Sequence, residues 1–181
     1  MKSIAPRTTS LLLALFLCLS TSVEARAADG IAVAGHILQY VLPASAAGLT
    51  LGYKDAQGAL QLGESIALSY GVTYGLKYSV DEMRPDGGRY SFPSGHTSIS
   101  FCAAEFIRRR YGWEYGIAAY TLASFVAYTR LETDKHHPQD IVAGAAIGFV
   151  SSNIFTRPYR GWHLRAEADG RHYGVSLVRV W

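Results

Sequence analysis

The strongest constraint on this chain is the spacing of its charge: long runs with no Asp, Glu, Lys or Arg alternate with short stretches where such residues gather. Residues 31–53 contain His36 as their one acidic or basic side chain, and residues 65–76, 115–129 and 141–155 contain none. Runs of this length, without the strict alternation of a half-buried strand, are expected as helices. Another helix is expected over residues 94–110, with Ser94 or Thr97 as its N-cap. Pro43 should interrupt the first run, because proline has no N–H to continue the ladder. Short connections make consecutive helices antiparallel, so the expected fold class is all-α, an up-down helical bundle of about five helices. Gly144, Gly148 and Ser152 recur every four residues, giving one helix face on which a neighbouring backbone can approach closely. Residues 164–181 alternate in part and Asp169-Gly170 is a turn signal, which predicts a short C-terminal β-hairpin over about 163–181.

The N-terminal residues read as a secretory signal. Lys2 and Arg7 precede an apolar run over 11–19, and Ala25-Arg26-Ala27 supplies a small-x-small cleavage site. A signal peptide over 1–27 is therefore expected, followed by a single domain over 28–181. Its removal takes three of the 17 basic and one of the 14 acidic residues, lowering the net charge from +3 to +1. That balance implies no nucleic-acid partner. Cys18 leaves with the signal, so Cys102 stands alone and has a packing role.

Between Lys77 and Asp140 the charged residues fall into three groups: Lys77-x6-Arg84-Pro85, then Pro93-Ser94-Gly95-His96, then Arg130-x5-His136-x3-Asp140. A phosphoryl group in transfer spreads negative charge over its equatorial oxygens, and its catalysis is mostly positioning and electrostatic stabilisation. Arg84 and Arg130 offer planar forks for two oxygens each, and Lys77 offers a point charge. Three permanent cations can do this work without a metal ion, and no cofactor is expected. A neutral His136 imidazole can attack phosphorus and form a covalent intermediate. If a helix begins near Pro138, Asp140 meets His136 across its first turn, takes the proton of one ring nitrogen and leaves the other free. His96, because the unperturbed histidine pKa of about 6.5 lies close to working pH, is the candidate general acid for the leaving oxygen. Ser94 and Gly95 fall where a helix would start, and free backbone N–H groups there favour an anion.

These three motifs, in this order over roughly residues 60–155, resemble the type 2 phosphatidic acid phosphatase superfamily, which also includes bacterial acid phosphatases and vanadium haloperoxidases. The resemblance implies phosphate binding by Lys77, Arg84, Ser94, Gly95 and Arg130, acid catalysis by His96, nucleophilic attack by His136, and orientation by Asp140, with no metal. Thr129 stands where the family usually has Ser, keeping the hydroxyl and adding a methyl. His137 beside His136 lacks an Asp at the matching distance. The activity implied is a metal-independent phosphatase for phosphate monoesters or pyrophosphates, most naturally of membrane lipids, acting through a phosphohistidine. The alternatives are a soluble periplasmic acid phosphatase of broad specificity and, less favoured by the modest length, a vanadate-dependent haloperoxidase. A non-catalytic phosphate-binding protein would be expected to show a broken motif.

The helix order adds a spatial expectation. Lys77 and Arg130 end helices and His96 and His136 begin them, so in an up-down bundle all four fall at one end. The connections over about 79–93 and 130–137 would build the site together, with Asp81, Glu82, Asp86 and Arg89 as flanking loop charges. Arg108, Arg109, Arg110, Arg157 and Arg160 would lie at the other end. In a membrane, the positive-inside rule puts those arginines in the cytoplasm and the site at the periplasmic face of the inner membrane; an exported soluble protein would place it in the periplasm. The uncharged runs of about 15 residues are shorter than the usual span of about 20. The expected partners are a phosphorylated lipid or small phosphomonoester substrate, and a membrane.

Overall fold

The computed structural model describes residues 7–159, 161–168 and 173–180, with side chains described over 30–159 and 174–176. Among the described residues the chain forms five helices and two strands: α1 (Arg7–Gly52), α2 (Ala56–Val80), α3 (Gly95–Tyr111), α4 (Trp113–Glu132), α5 (Pro138–Phe155), β1 (Gly161–Ala168) and β2 (Tyr173–Val180). The strands pair antiparallel from Gly161 opposite Val180 to Ala168 opposite Tyr173. The Asp169-Gly170 turn lies outside the described residues.

Two features of α1 differ from the sequence expectation. It runs through Pro43 unbroken and continues back past Ala27 to Arg7. A proline removes one N–H from the ladder, while Leu42 and Ala46 on either side of it are buried in the core and hold the helix together across the gap. The expected signal peptide falls on residues whose side chains, and for residues 1–6 whose backbone, lie outside the described set. The other helices are longer than their uncharged runs, with α2 reaching 25 residues and α4 20. Their terminal turns carry the charges: Lys77 in α2, three arginines in α3 and Arg130 in α4.

α3 is the central element and packs against each of the other four helices. Its contact with α5 is closest where Gly144 and Gly148 face it, so the small-residue face anticipated in the sequence meets the α3 backbone directly. The apolar core is small, built on Leu42, Ala46, Leu62, Phe106, Ile107, Tyr111 and Val126 with several alanines.

Burial elsewhere is inverted relative to a bundle in water. α2 buries Leu62 but otherwise Gly58, Gln61, Ser65, Ser69 and Thr73, and α5 buries Asp140, Gly144, Gly148, Ser151 and Ser152. The same helices expose Leu60, Tyr70, Val72, Tyr74, Val142, Phe149, Val150 and Ile154. Small polar residues inside and large apolar residues outside is the packing used where the surroundings are as apolar as Leu.

The end of the bundle away from His96 is tied by buried charge. Asp55 caps α2 by accepting from the Gly58 N–H at 2.9 Å, and Arg110 at the end of α3 donates from Nε to Asp55 Oδ2 at 2.7 Å. Arg110 Nη1 also donates to the Arg157 carbonyl beyond α5 at 2.7 Å. Arg108 pairs with the fully buried Glu105 at 2.6 Å, and Arg109 Nη1 reaches Asn153 Oδ1 at 2.7 Å. The three arginines do lie at the end opposite His96, but turned inward and partnered rather than as an open basic patch. Arg160 lies outside the described residues.

Candidate active site

The short connectors bring the three motifs to one end of the bundle. Lys77 is in the last turn of α2, Gly95 and His96 open α3, Arg130 is in the last turn of α4, and His136 stands in the loop before α5. Lys77, Arg84, Gly95, His96 and His136 line one cavity of about 200 Å³. His36, Gln39 and Tyr40 from α1 and Tyr70 and Tyr74 from α2 complete its wall.

The His136–Asp140 pair follows from how α5 starts. His137 is the N-cap and Pro138 the first helical residue, so Asp140 occupies the third position and faces back. Its Oδ2 accepts from the His137 N–H at 2.9 Å and from Ser91 Oγ at 2.5 Å, and lies 3.3 Å from His136 Nδ1. With three donors gathered on Oδ2, the His136 proton is held on Nδ1, which leaves Nε2 unprotonated. Asp140 is fully buried and His136 only 4% exposed. Burial pushes His136 down to about 4, helped by the Lys77 and Arg84 charges and opposed by Asp140. The ring is therefore neutral across the neutral pH range.

The cations differ in how they are held. Lys77 Nζ donates to the Tyr90 and Ser91 carbonyls at 2.8 and 3.3 Å. Tyr90 takes φ +60°, the left-handed region that a non-glycine residue enters at a cost. Arg84 Nε is buried with no hydrogen-bond partner. Arg130 is buried, with Nε donating to Thr129 Oγ1 at 3.2 Å and Nη2 to the Ala32 carbonyl of α1 at 3.0 Å. The Thr129 hydroxyl thus braces the arginine that follows it. Ser94 is fully buried and caps α3: its Oγ accepts from Thr97 Oγ1 at 2.9 Å, and its N–H donates to the Asp140 carbonyl at 3.0 Å. Its hydroxyl is turned to this cap, while the adjacent Gly95 and His96 reach the cavity.

The two loops over the site are cross-linked. Lys135 and Asp86 form an ion pair at 2.7 Å, the Asp86 N–H donates to the Asp134 carbonyl at 3.2 Å, and Gln139 Nε2 donates to Glu82 Oε1 at 3.2 Å. Arg89 pairs with Asp81. The flanking loop charges are therefore partnered, not simply solvated. His137 Nε2 lies 3.1 Å from the Met83 carbonyl, outside the cavity wall, which separates it from His136.

Several site residues carry little sequence signal. Ser91, two residues ahead of the Pro93-Ser94-Gly95-His96 motif, has no spacing that marks it as a partner of Asp140. His36, exposed on α1, had one: it is the lone acidic or basic side chain of an otherwise uncharged apolar run over 31–53.

Residues 86–163 match a family model described as the PAP2 superfamily. Over that span, 78 of its 181 residues, the chain is similar to the PAP2 superfamily. Both later motifs fall inside the matched span, and Lys77 and Arg84 stand just before it yet line the same cavity. The chain is 39% identical over 94 residues to the lipid A 1-phosphatase of Porphyromonas gingivalis, covering 49% of this chain and 21% of that protein. It thus spans about a fifth of the length of that relative. It is 28% identical over 166 residues to the lipid A 4'-phosphatase of Helicobacter pylori, covering 81% and 83%. In fold it is similar to the crystal structure of a transmembrane PAP2-type phosphatidylglycerolphosphate phosphatase from Bacillus subtilis, with a TM-score of 0.56 and 20% identity over 81% of this chain and 92% of that one.

Proposed function

We propose that the protein is a phosphatase that hydrolyses the phosphate monoester or pyrophosphate of a membrane lipid, through a phosphohistidine on His136 and without a metal ion. The observation that carries this reading is the cavity itself: Lys77 and Arg84 line it, an Arg84 donor is buried without an acceptor, and the Asp140 carboxylate is committed to His136. Such a site is built for an anion with several oxygens.

In the proposed reaction Arg84, Lys77, Arg130 and the N–H groups at the start of α3 hold the non-bridging oxygens. His136 Nε2 attacks phosphorus, the P–N bond forms as the bond to the leaving oxygen breaks, and His96 gives that oxygen its proton. Water then attacks the phosphohistidine, passing a proton back to His96 and releasing inorganic phosphate. Ser94 serves this site through the cap that sets Gly95 and His96 in place.

A lipid substrate is supported by the inverted burial and by the relatives, two of which are lipid A phosphatases. Among the described residues, the segment Gly30–Gly52 of α1 is long and apolar enough to cross a membrane. We place the bundle in the inner membrane with the cavity at its periplasmic face. A phosphate-release screen tests the reading. Detergent-solubilised protein should release phosphate from lipid A, phosphatidate or a polyprenyl pyrophosphate, undiminished by EDTA. No release from any of them, or halide oxidation that requires added vanadate and peroxide, overturns it.

Replacing the fork of Arg130 by a point charge should matter even with the charge kept. Arg130→Lys removes the Nε bond to Thr129 and the Nη2 bond to Ala32 together. A fall in kcat/KM of about 10- to 100-fold, about 1.4–2.7 kcal/mol, is expected from steady-state kinetics.

A further inference from the structure

We propose that His36 of α1 is a positioning residue for the general acid, holding one proton on Nε2 of His96 so that the other ring nitrogen, Nδ1, is the one that gives a proton to the leaving oxygen. The inference rests on the reading of His96 as the group that protonates the leaving oxygen. His36 Nδ1 lies 3.2 Å from His96 Nε2, and the two rings are 5.5 Å apart and tilted by 44°. On the other side, Gln39 Nε2 lies 2.8 Å from the same Nδ1. With the Gln39 amide nitrogen assigned towards the ring, that nitrogen can only donate, so His36 Nδ1 is an acceptor. The hydrogen between the two imidazoles then belongs to His96 Nε2. Gln39 thus sets the tautomer of His36, and His36 sets the tautomer of His96.

The surroundings make such a partner useful. Burial and the nearby Arg130 and Arg84 charges disfavour a charged ring at His96, so the Nε2 proton is the one it keeps in the free protein. A neutral acceptor can hold that proton in place without the charge of a carboxylate, which would compete for the phosphate-binding cations. With substrate bound, a second proton taken from solvent sits on His96 Nδ1; it passes to the leaving oxygen, the ring returns to its neutral Nε2–H form still held by His36, and His36 touches none of the reacting atoms.

α1 is fixed at this spot by independent contacts. A Cβ at Gly35 would run into the Thr129 side chain and lie 3.0 Å from Arg130 Nη2, so the helix presses directly on α4. The Ala32 carbonyl one turn earlier accepts from Arg130. The face of α1 that carries Ala32, Gly35, His36 and Gln39 is therefore part of the site.

Leaving-group dependence separates positioning from a bulk structural role. An alkyl phosphate needs its leaving oxygen protonated, whereas p-nitrophenyl phosphate expels a stable phenolate without a proton. In full-length protein, His36→Ala should lower kcat on an alkyl phosphomonoester by about 10- to 100-fold and on p-nitrophenyl phosphate by less than about threefold. Gln39→Leu should shift the ratio in the same direction, and His36→Asn, whose amide oxygen can replace the Nδ1 acceptor, should recover much of the alkyl-ester turnover. Retained p-nitrophenyl phosphate hydrolysis in His36→Ala reports that the variant is folded. Equal losses on both substrates, or none on either, overturn the proposal while leaving the phosphatase reading intact. With phosphatidate as the alkyl phosphomonoester, a wild-type protein inactive on it, on lipid A and on a polyprenyl pyrophosphate overturns the phosphatase reading and this proposal with it.

Discussion

His136→Ala should abolish turnover, lowering kcat by at least about 10⁴-fold, because the group proposed to form the covalent bond is gone and its partners cannot substitute for it. His137 is adjacent in sequence, but its Nε2 lies by the Met83 carbonyl and Ser91 offers its hydroxyl to Asp140. Quenched reaction mixtures of wild type should contain a phosphoryl group stable to base and labile to acid, and the variant should lack it. Near-normal activity in the variant would reject the nucleophile. The same residue gives a pH signature. Its folded value of about 4 lies below the usual 6.5, so the unfolded chain takes up a proton below about 6.5 that the folded chain refuses until about 4. Stability is unaffected by this group above that window, falls as pH drops through it, and levels off below it. The His136 ring resonance in the free protein should titrate near 4 by NMR; a midpoint near 6.5 would mean that the ring is neither buried nor beside cations in solution.

Gly148→Ala should break the bundle at its tightest contact. An added methyl would lie 2.6 Å from the Cys102 backbone nitrogen and closer still to the Ser98 carbonyl oxygen. Both obstacles are helix backbone, so α3 and α5 must separate instead of a side chain rotating away. Overpacking of this kind costs about 1–3 kcal/mol when side chains can adjust, and here the cost should reach or exceed the upper figure. The consequence extends to the site, because α3 begins at Gly95–His96 and α5 holds Asp140 behind His136. Gly63→Ala is the matched control: it lies in α2 with nothing within 4 Å of the added carbon, and should change stability by less than about 1 kcal/mol. Thermal unfolding in detergent would compare them. Equal stability of the two variants would show that the α3–α5 contact is looser than 2.6 Å.

The helical class of the fold and the motifs on which the proposed phosphate chemistry rests were both present in the linear order of residues. Uncharged runs too long and too regular for strands fixed helices, and short charged connectors between them made those helices antiparallel. Once that alternation holds, Lys77, His96, Arg130 and His136 reach one end by counting alone, and the His136–Asp140 contact follows from a helix that starts at Pro138. These are local or topological consequences, and local rules are legible in sequence. What only the tertiary structure decided is how distant elements meet. Ser91 shares Asp140 because the loop before α3 folds over the start of α5, and Arg110 faces Asp55 because α3 ends beside the cap of α2. The apolar residues of α5 could have faced inward, yet packing at Gly144 and Gly148 brings α3 so close that small residues occupy the contact and Val142, Phe149, Val150 and Ile154 are turned outward. α1 shows the difference most clearly. Its sequence marks it as a long apolar helix with one stray histidine, and only the approach of Gly35 to Thr129 places that histidine against His96. Charge spacing and turn chemistry act over a few residues, whereas a contact across 60 positions depends on the shapes of every element between them.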